Sequence, residues 1–138
     1  MSGPENTFMA SVHRHLPPDL YRMKTHNPYI SGPADVWYSG SKRDLWVEYK
    51  FLAVPKRPTT VIDLTAGKDP ALSVLQQDWL NERYAEGRNV WVIVGCKAGG
   101  VLLKDKDWMQ PRTVANFQSA LQTRAELATA LRYFLESP

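Results

Sequence analysis

Asp44-Leu45-Trp46-Val47-Glu48-Tyr49-Lys50-Phe51-Leu52 decides the fold. Its odd positions, Leu45, Val47, Tyr49 and Phe51, are all apolar or aromatic. Its even positions are Asp44, Trp46, Glu48, Lys50 and Leu52. Successive side chains of a strand point to opposite faces, so the odd set lies on a core face. Glu48 and Lys50 then emerge together on the other face, about 7 Å apart.

Working outward, Ala34-Asp35-Val36-Trp37-Tyr38 reads as a short strand, and Ser39-Gly40-Ser41-Lys42-Arg43 as the turn that joins the two into a hairpin. Upstream, residues 19–33 are rich in Pro, Asn, Ser and Gly and read as a loop, with Tyr21, Met23, Tyr29 and Ile30 as apolar anchors. Before them, Phe8, Val12 and Leu16 at four-residue spacing, with Met9 beside them, mark an amphipathic helix over residues 4–16 that Pro17-Pro18 ends.

Downstream, residues 59–64 are a third strand candidate. A helix follows over residues 71–86, carrying Leu72, Leu75, Trp79, Leu80 and Tyr84 on one side, with Gly87 as its stop. Val90-Trp91-Val92-Ile93-Val94 has no alternation, as in a strand covered on both faces, and Gly99-Gly100 turns it into Val101-Leu102-Leu103. Residues 112–135 read as one or two helices. The order predicts an α/β domain, a mixed central sheet flanked by helices, over residues 1–138.

The 138 residues suffice for one core without staples. The single cysteine, Cys96, follows an apolar run, reads as a core or core-edge residue, and excludes a cysteine-zinc site in one chain. No stretch reaches the roughly 18 apolar residues of a membrane span, and the first residues lack the basic and apolar parts of a secretory signal. The expected location is the cytoplasm, that of the host if a phage encodes the chain. Seventeen Lys and Arg against fourteen Asp and Glu, a net charge of +3, permit a polyanionic partner without requiring one. No P-loop, dinucleotide-binding turn or nucleophile elbow occurs, which removes those three chemistries.

If the two hairpin strands pair, Asp35, Glu48 and Lys50 come within a few ångströms of a common point. Two carboxylates suit Mg²⁺, a hard cation that takes one or two protein carboxylates and leaves positions for water and phosphate oxygens; Mn²⁺ is the expected substitute. Lys50 can hold an attacking water and offset phosphoryl charge. The bland alternative is a solvated strand face with an ordinary ion pair between Glu48 and Lys50.

The run Gly32-Pro33-Ala34-Asp35 followed by Leu45-Trp46-Val47-Glu48-Tyr49-Lys50-Phe51 resembles the PD-(D/E)xK nuclease superfamily, in which a Gly-x-x-Asp strand precedes an apolar strand bearing Glu-x-Lys. Within it the sequence looks most like small phage nucleases of the VRR-NUC and Holliday-junction-resolvase groups. The likeness runs from Glu5 to about residue 95. One departure is visible: proline stands one residue early, at Pro33 and not directly before Asp35, and it carries no catalytic group.

The resemblance implies a restriction-endonuclease-like core and Mg²⁺-dependent hydrolysis of DNA phosphodiesters, on branched or replication and recombination structures. It implies Asp35 and Glu48 as metal ligands, Lys50 as catalytic, and Glu5 on the first helix as a further ligand, direct or through water. It also implies a glutamine on the helix after Glu-x-Lys, for which Gln76 is chosen and Gln77 is the fallback. Junction cutting needs two sites presented together, so a homodimer is its structural correlate.

Lys24, Lys42, Arg43, Lys56 and Arg57 fall in loops near the expected site and suit phosphate contacts. His13 and His15, two apart on a helix, share no face, and for these and His26 a structural or surface role is the simpler reading. Trp79 and Trp91 read as core; Trp46, on the face of Glu48 and Lys50, either packs there, walls the site or stacks a base. The rival functions are a nucleic-acid-binding module that keeps the nuclease fold without cutting, and an interaction protein using residues 118–135 as a partner helix.

Overall fold

A computed structural model describes residues 3–25 and 32–138. The expected anchors Tyr29 and Ile30, and His26, lie outside the described residues. The elements in chain order are α1 (Gly3–His13), β1 (Tyr21–Lys24), β2 (Val36–Ser39), β3 (Asp44–Phe51), β4 (Val61–Ile62), α2 (Val74–Ala85), β5 (Val90–Cys96), β6 (Gly99–Lys104), a 3₁₀ turn (Asp107–Met109), β7 (Arg112–Thr113), α3 (Val114–Ser119) and α4 (Arg124–Glu136). Five strands form a mixed sheet in the order β1-β2-β3-β5-β6. β3 and β5 are parallel at its centre, and the other three neighbour pairs are antiparallel.

Each face of the sheet carries its own core. Leu45, Val47 and Tyr49 of β3 pack with Phe8, Met9 and Val12 of α1 and with Leu127, Leu131 and Leu135 of α4. The other face meets Leu72, Leu80 of α2, Trp108 and Phe117, with Trp46 and Trp79 packed against them. Burial on both faces explains why β5 lacks alternation, since all seven of its residues are buried. Cys96 is among them, as expected of a core-edge thiol.

The parallel β3–β5 pair needs a crossover, and α2 supplies it. Ser73 caps α2: its hydroxyl accepts from Gln76 N–H while the Gln76 side chain accepts from Ser73 N–H, the reciprocal capping box. The helix therefore begins at Val74, three residues later than the apolar pattern suggested. Gly95 lets α1 sit directly on β5, because a Cβ there would lie 2.5 Å from the Phe8 ring.

Three expectations about secondary structure need correction. Tyr21–Lys24, expected within a loop, is an edge strand paired with β2; with one strand neighbour and three of its four side chains exposed, it has no alternating apolar signature. The strand expected over residues 59–64 shrinks to Val61–Ile62, which pairs with β7 in a separate two-stranded sheet. Leu75 and Tyr84 of α2 are 57% and 39% exposed, because the helix turns Gln76, Trp79, Leu80 and Arg83 inward instead.

Candidate active site

Val36 pairs with Val47 in the β2–β3 hairpin, so Asp35 stands one residue beyond, opposite Glu48. Its carboxylate is fixed from β3: Tyr49 N–H donates to Asp35 Oδ2 at 2.8 Å. Its carbonyl accepts from Thr25 N–H at 2.8 Å, which ties the end of β1 to the same point. Lys50 Nζ lies 3.5 Å from Glu48 Oε2. From the opposite layer, Gln76 Nε2 donates to Glu48 Oε2 at 3.0 Å. Gln77 turns away and donates to the Leu72 carbonyl.

The glycine of the Gly-x-x-Asp run has a positional reason. Gly32 has φ of +111°, and a Cβ there would come within 2.8 Å of the Leu75 carbonyl oxygen. Only glycine lets this segment pass so close under the start of α2. The first turn of α2 therefore approaches the chain just before Asp35, and Gln76 belongs to that turn.

Glu48 is 1% exposed, which removes the solvated-face alternative. Burial pushes its pKa well above the ordinary carboxylate range, the negative charge of Asp35 pushes it further, and Lys50 opposes both. Asp35 is raised too, chiefly by burial, against the hydrogen bond from Tyr49 N–H, the hydrogen bond that a protonated Glu48 donates to it, and the charge of Lys50. Among the described residues no donor reaches the buried Glu48 Oε1 while both carboxyl groups are ionised. Two facing carboxylates, one with an orphaned buried oxygen, form a hard donor set that a divalent cation fits, because a cation supplies the missing partner and removes the repulsion. Among the described residues no group of three or more His, Cys, Asp or Glu is gathered as a metal cage. The donor set is thus the pair.

No protein-family model matches the chain, and no curated protein matches it significantly. Its structure does have a likeness among solved ones: Hjc of Archaeoglobus fulgidus, described as a Holliday junction resolvase from an archaeal hyperthermophile. The match has a TM-score of 0.53, spans 91% of this chain and 96% of that one, and has 12% sequence identity. The fold resembles that of Hjc. This α/β architecture, a mixed five-stranded sheet with flanking helices, is the restriction-endonuclease-like fold.

On the Hjc-like frame the other expected site residues divide by strand direction. Glu5 lies in the first turn of α1, and its neighbour Asn6 accepts from Lys24 Nζ at 3.3 Å, so this turn approaches the end of β1 that is tied to Asp35. Glu5 is not gathered with Asp35 and Glu48 into a three-acid cluster. Lys56 and Arg57 are exposed in the segment that leaves β3 beyond Lys50. Lys42 and Arg43 are not beside the acids. They occupy the closed end of the hairpin, at least four residues or about 13 Å along β3 from Glu48. Arg43 is moreover held by the carbonyls of Phe134 at 3.0 Å and Ser137 at 2.5 Å.

Gln76 uses its side-chain oxygen for the cap and its nitrogen for Glu48, so helix start and carboxylate orientation are locked together. Gln76→Ala is expected to lower divalent-cation affinity about 10- to 100-fold, the usual effect of losing a partner behind a ligand. A Mn²⁺ titration of the two proteins checks this, and equal affinities would remove Gln76 from the site.

Sequence reading did not find the polar chain beneath the sheet. His13 Nε2 and Tyr38 Oη are 2.6 Å apart, and Tyr38 Oη and Tyr49 Oη 2.7 Å. Burial, then the charges of Arg22 and Lys24, lower the His13 pKa from 6.5 to about 4. The unfolded chain protonates this histidine below pH 6.5 while the folded chain resists until about 4. The stability present above pH 6.5 is therefore lost as pH falls through that window, about 3 kcal/mol in full. His13→Gln should flatten this part of the pH–stability curve in chemical denaturation; an unchanged slope would contradict it.

Proposed function

We propose that this protein is a Mg²⁺-dependent endonuclease that hydrolyses DNA phosphodiester bonds, with Mn²⁺ able to substitute. The observation that carries the reading is Glu48, buried opposite Asp35 and beside Lys50, with one oxygen that no donor among the described residues reaches, on an Hjc-like fold. A binding module that only needed phosphate contacts would gain nothing from two buried carboxylates, which repel both each other and a phosphate. That cost makes chemical sense where a cation is to be held, and it favours catalysis over the non-cutting alternative.

Asp35 and Glu48 are the proposed ligands, and Glu5 assists through water. A cation held there lowers the pKa of a bound water and neutralises charge growing on the phosphate. The protein's own groups do the rest. Tyr49 N–H and Gln76 Nε2 keep the two carboxylates oriented. The Lys50 ammonium holds the attacking water in line with the scissile bond and stabilises the extra negative charge of the transition state. Lys24, Lys56 and Arg57 are proposed to contact backbone phosphates, which fixes position without reading sequence and makes binding weaken steeply with salt.

Branched DNA is the proposed target, in keeping with what Hjc is described as resolving. Cutting a junction on both sides requires two copies of the chain, so a homodimer belongs to the same proposal. Among the described residues no helix is long and apolar enough to cross a membrane. Incubating the protein with duplex, nicked and four-way DNA in Mg²⁺, Mn²⁺ and EDTA tests the reading. Cleavage of four-way DNA in either metal and none in EDTA is expected; absence of cleavage of every substrate in both metals would overturn it.

A further inference from the structure

An aromatic ladder crosses the sheet on the face that carries Glu48. Trp37 of β2 pairs in register with Trp46 of β3, and Met23 of β1 pairs with Trp37, so these side chains share one face with Tyr21. Ring centroids are 5.8 Å apart for Tyr21 and Trp37, 6.1 Å for Trp37 and Trp46, and 5.2 Å for Trp46 and Trp79 of α2. The Arg83 guanidinium continues the row 5.8 Å from the Trp79 ring centre. Trp79 and Gln76 lie one turn apart on α2, Trp46 and Glu48 two residues apart on β3, so one helix face touches both ladder and site.

Packing accounts for only half of this row. Trp46 and Trp79 border a core, but Trp37 is only half-buried, and Tyr21 and Met23 are 57% and 45% exposed. A cleft of about 560 Å³ opens beside Trp37 and Trp46, and its rim includes Lys42, Arg43, Arg88 and the single acid Asp44. Arg43 is spent on the end of α4, and Asp44 accepts from the Ser39 hydroxyl. Lys42 and Arg88 are both exposed. The surface thus joins partly exposed aromatic rings, inclined to one another by 41° to 77°, to a cationic rim.

We propose that this face binds single-stranded nucleic acid, with unpaired bases stacked on Tyr21, Trp37 and Trp46 and phosphates on Lys42 and Arg88. Aromatic platforms with a cationic border suit single strands, because each base has a π-face and each linkage a charge. A base inside a duplex has both faces covered by its neighbours, so the ladder selects unpaired segments. The inference rests on the nuclease reading in one respect: at Trp46 the ladder passes two residues from Glu48, so a strand lying on it leads past the proposed site. It also gives Lys42 a role that its distance from the two acids denies it there.

The test is binding to the full chain in EDTA, followed by fluorescence anisotropy of labelled oligo(dT), of an abasic strand of equal length, and of duplex DNA. The abasic strand keeps the phosphates and lacks the bases. Wild type should bind oligo(dT) at least about 5-fold more tightly than the abasic strand. Trp37→Leu and Tyr21→Ser should each weaken oligo(dT) binding about 5- to 150-fold and leave abasic binding unchanged. Tyr21 is exposed, so its variant reads the ladder even if Trp37→Leu lowers stability. Equal affinity of wild type for the two strands, or an unaltered oligo(dT) affinity in Tyr21→Ser, would overturn the inference. Metal-dependent cleavage measured separately shows whether the nuclease reading stands: cutting without base-dependent binding sinks the ladder alone, and base-dependent binding without cutting sinks the nuclease alone.

Discussion

Glu48→Gln is expected to abolish metal-dependent DNA cleavage and, in the same chain without metal, to raise its melting temperature at pH 7.5. Loss of a ligand and its charge should lower the cleavage rate by about 10³-fold, several kcal/mol of transition-state stabilisation. The gain in stability has the opposite sign because a charge on Glu48 is buried, faces Asp35 and leaves one oxygen that no donor among the described residues reaches. Removing such a charge while keeping its shape, and the hydrogen bond from Gln76, should stabilise by about 1–3 kcal/mol. The pH dependence distinguishes this from a general packing effect. With a folded pKa raised above 4.5, Glu48 is neutral in both states at lower pH, and its unfavourable contribution grows as pH rises from 4.5 toward the folded value and is full above it. The advantage of glutamine should therefore be absent near pH 4 and full at high pH. Melting curves with cleavage assays check both halves, and a variant that cuts at an undiminished rate, or whose advantage is equal at every pH, would contradict the assignment.

Lys50→Met should reduce the cleavage rate by about 10²- to 10³-fold, the range for loss of one preorganised electrostatic partner of a transition state, while DNA affinity changes little. A second effect follows from its position 3.5 Å from Glu48. Lys50 lowers the pKa of both carboxyl groups, so its removal lets both rise. Ligand carboxylates must be ionised, hence the acid limb of the pH–rate profile should move to higher pH in Lys50→Met. Lys50→Arg keeps the charge and should return the limb, but not the full rate, since a planar guanidinium does not hold a water as a compact ammonium does. An unmoved limb in Lys50→Met would show that the lysine acts independently of the acids.

What the sequence revealed of this site follows from the physics of strands. Period-two alternation sent Glu48 and Lys50 to one face, and the short turn over residues 40–43 brought Asp35 opposite, because hairpin register is local. Gln76 sits three residues before Trp79, and that spacing places both inner-face contacts on α2. The burial of Glu48 was not legible: it depends on α2 covering the second face, a contact between residues 28 apart. β1 escaped detection because an edge strand need not alternate. The inner face of α2 was misread because Gln76 and Arg83, which turn inward, are polar, while Leu75 and Tyr84, which look like core, are exposed. The basic loops were misgrouped because proximity in sequence to Glu48 says nothing of hairpin direction, which sends Lys42 and Arg43 to its closed end and Lys56 and Arg57 the other way.

Everything in the catalytic reading depends on Asp35 and Glu48 holding one divalent cation between them. Mn²⁺ titration followed by electron paramagnetic resonance measures this without substrate. The account predicts one site per chain in the wild type, and its loss in Asp35→Asn and in Glu48→Gln while both variants stay folded by circular dichroism. A wild type that binds no Mn²⁺, or variants that bind it with unchanged affinity and number, would contradict it.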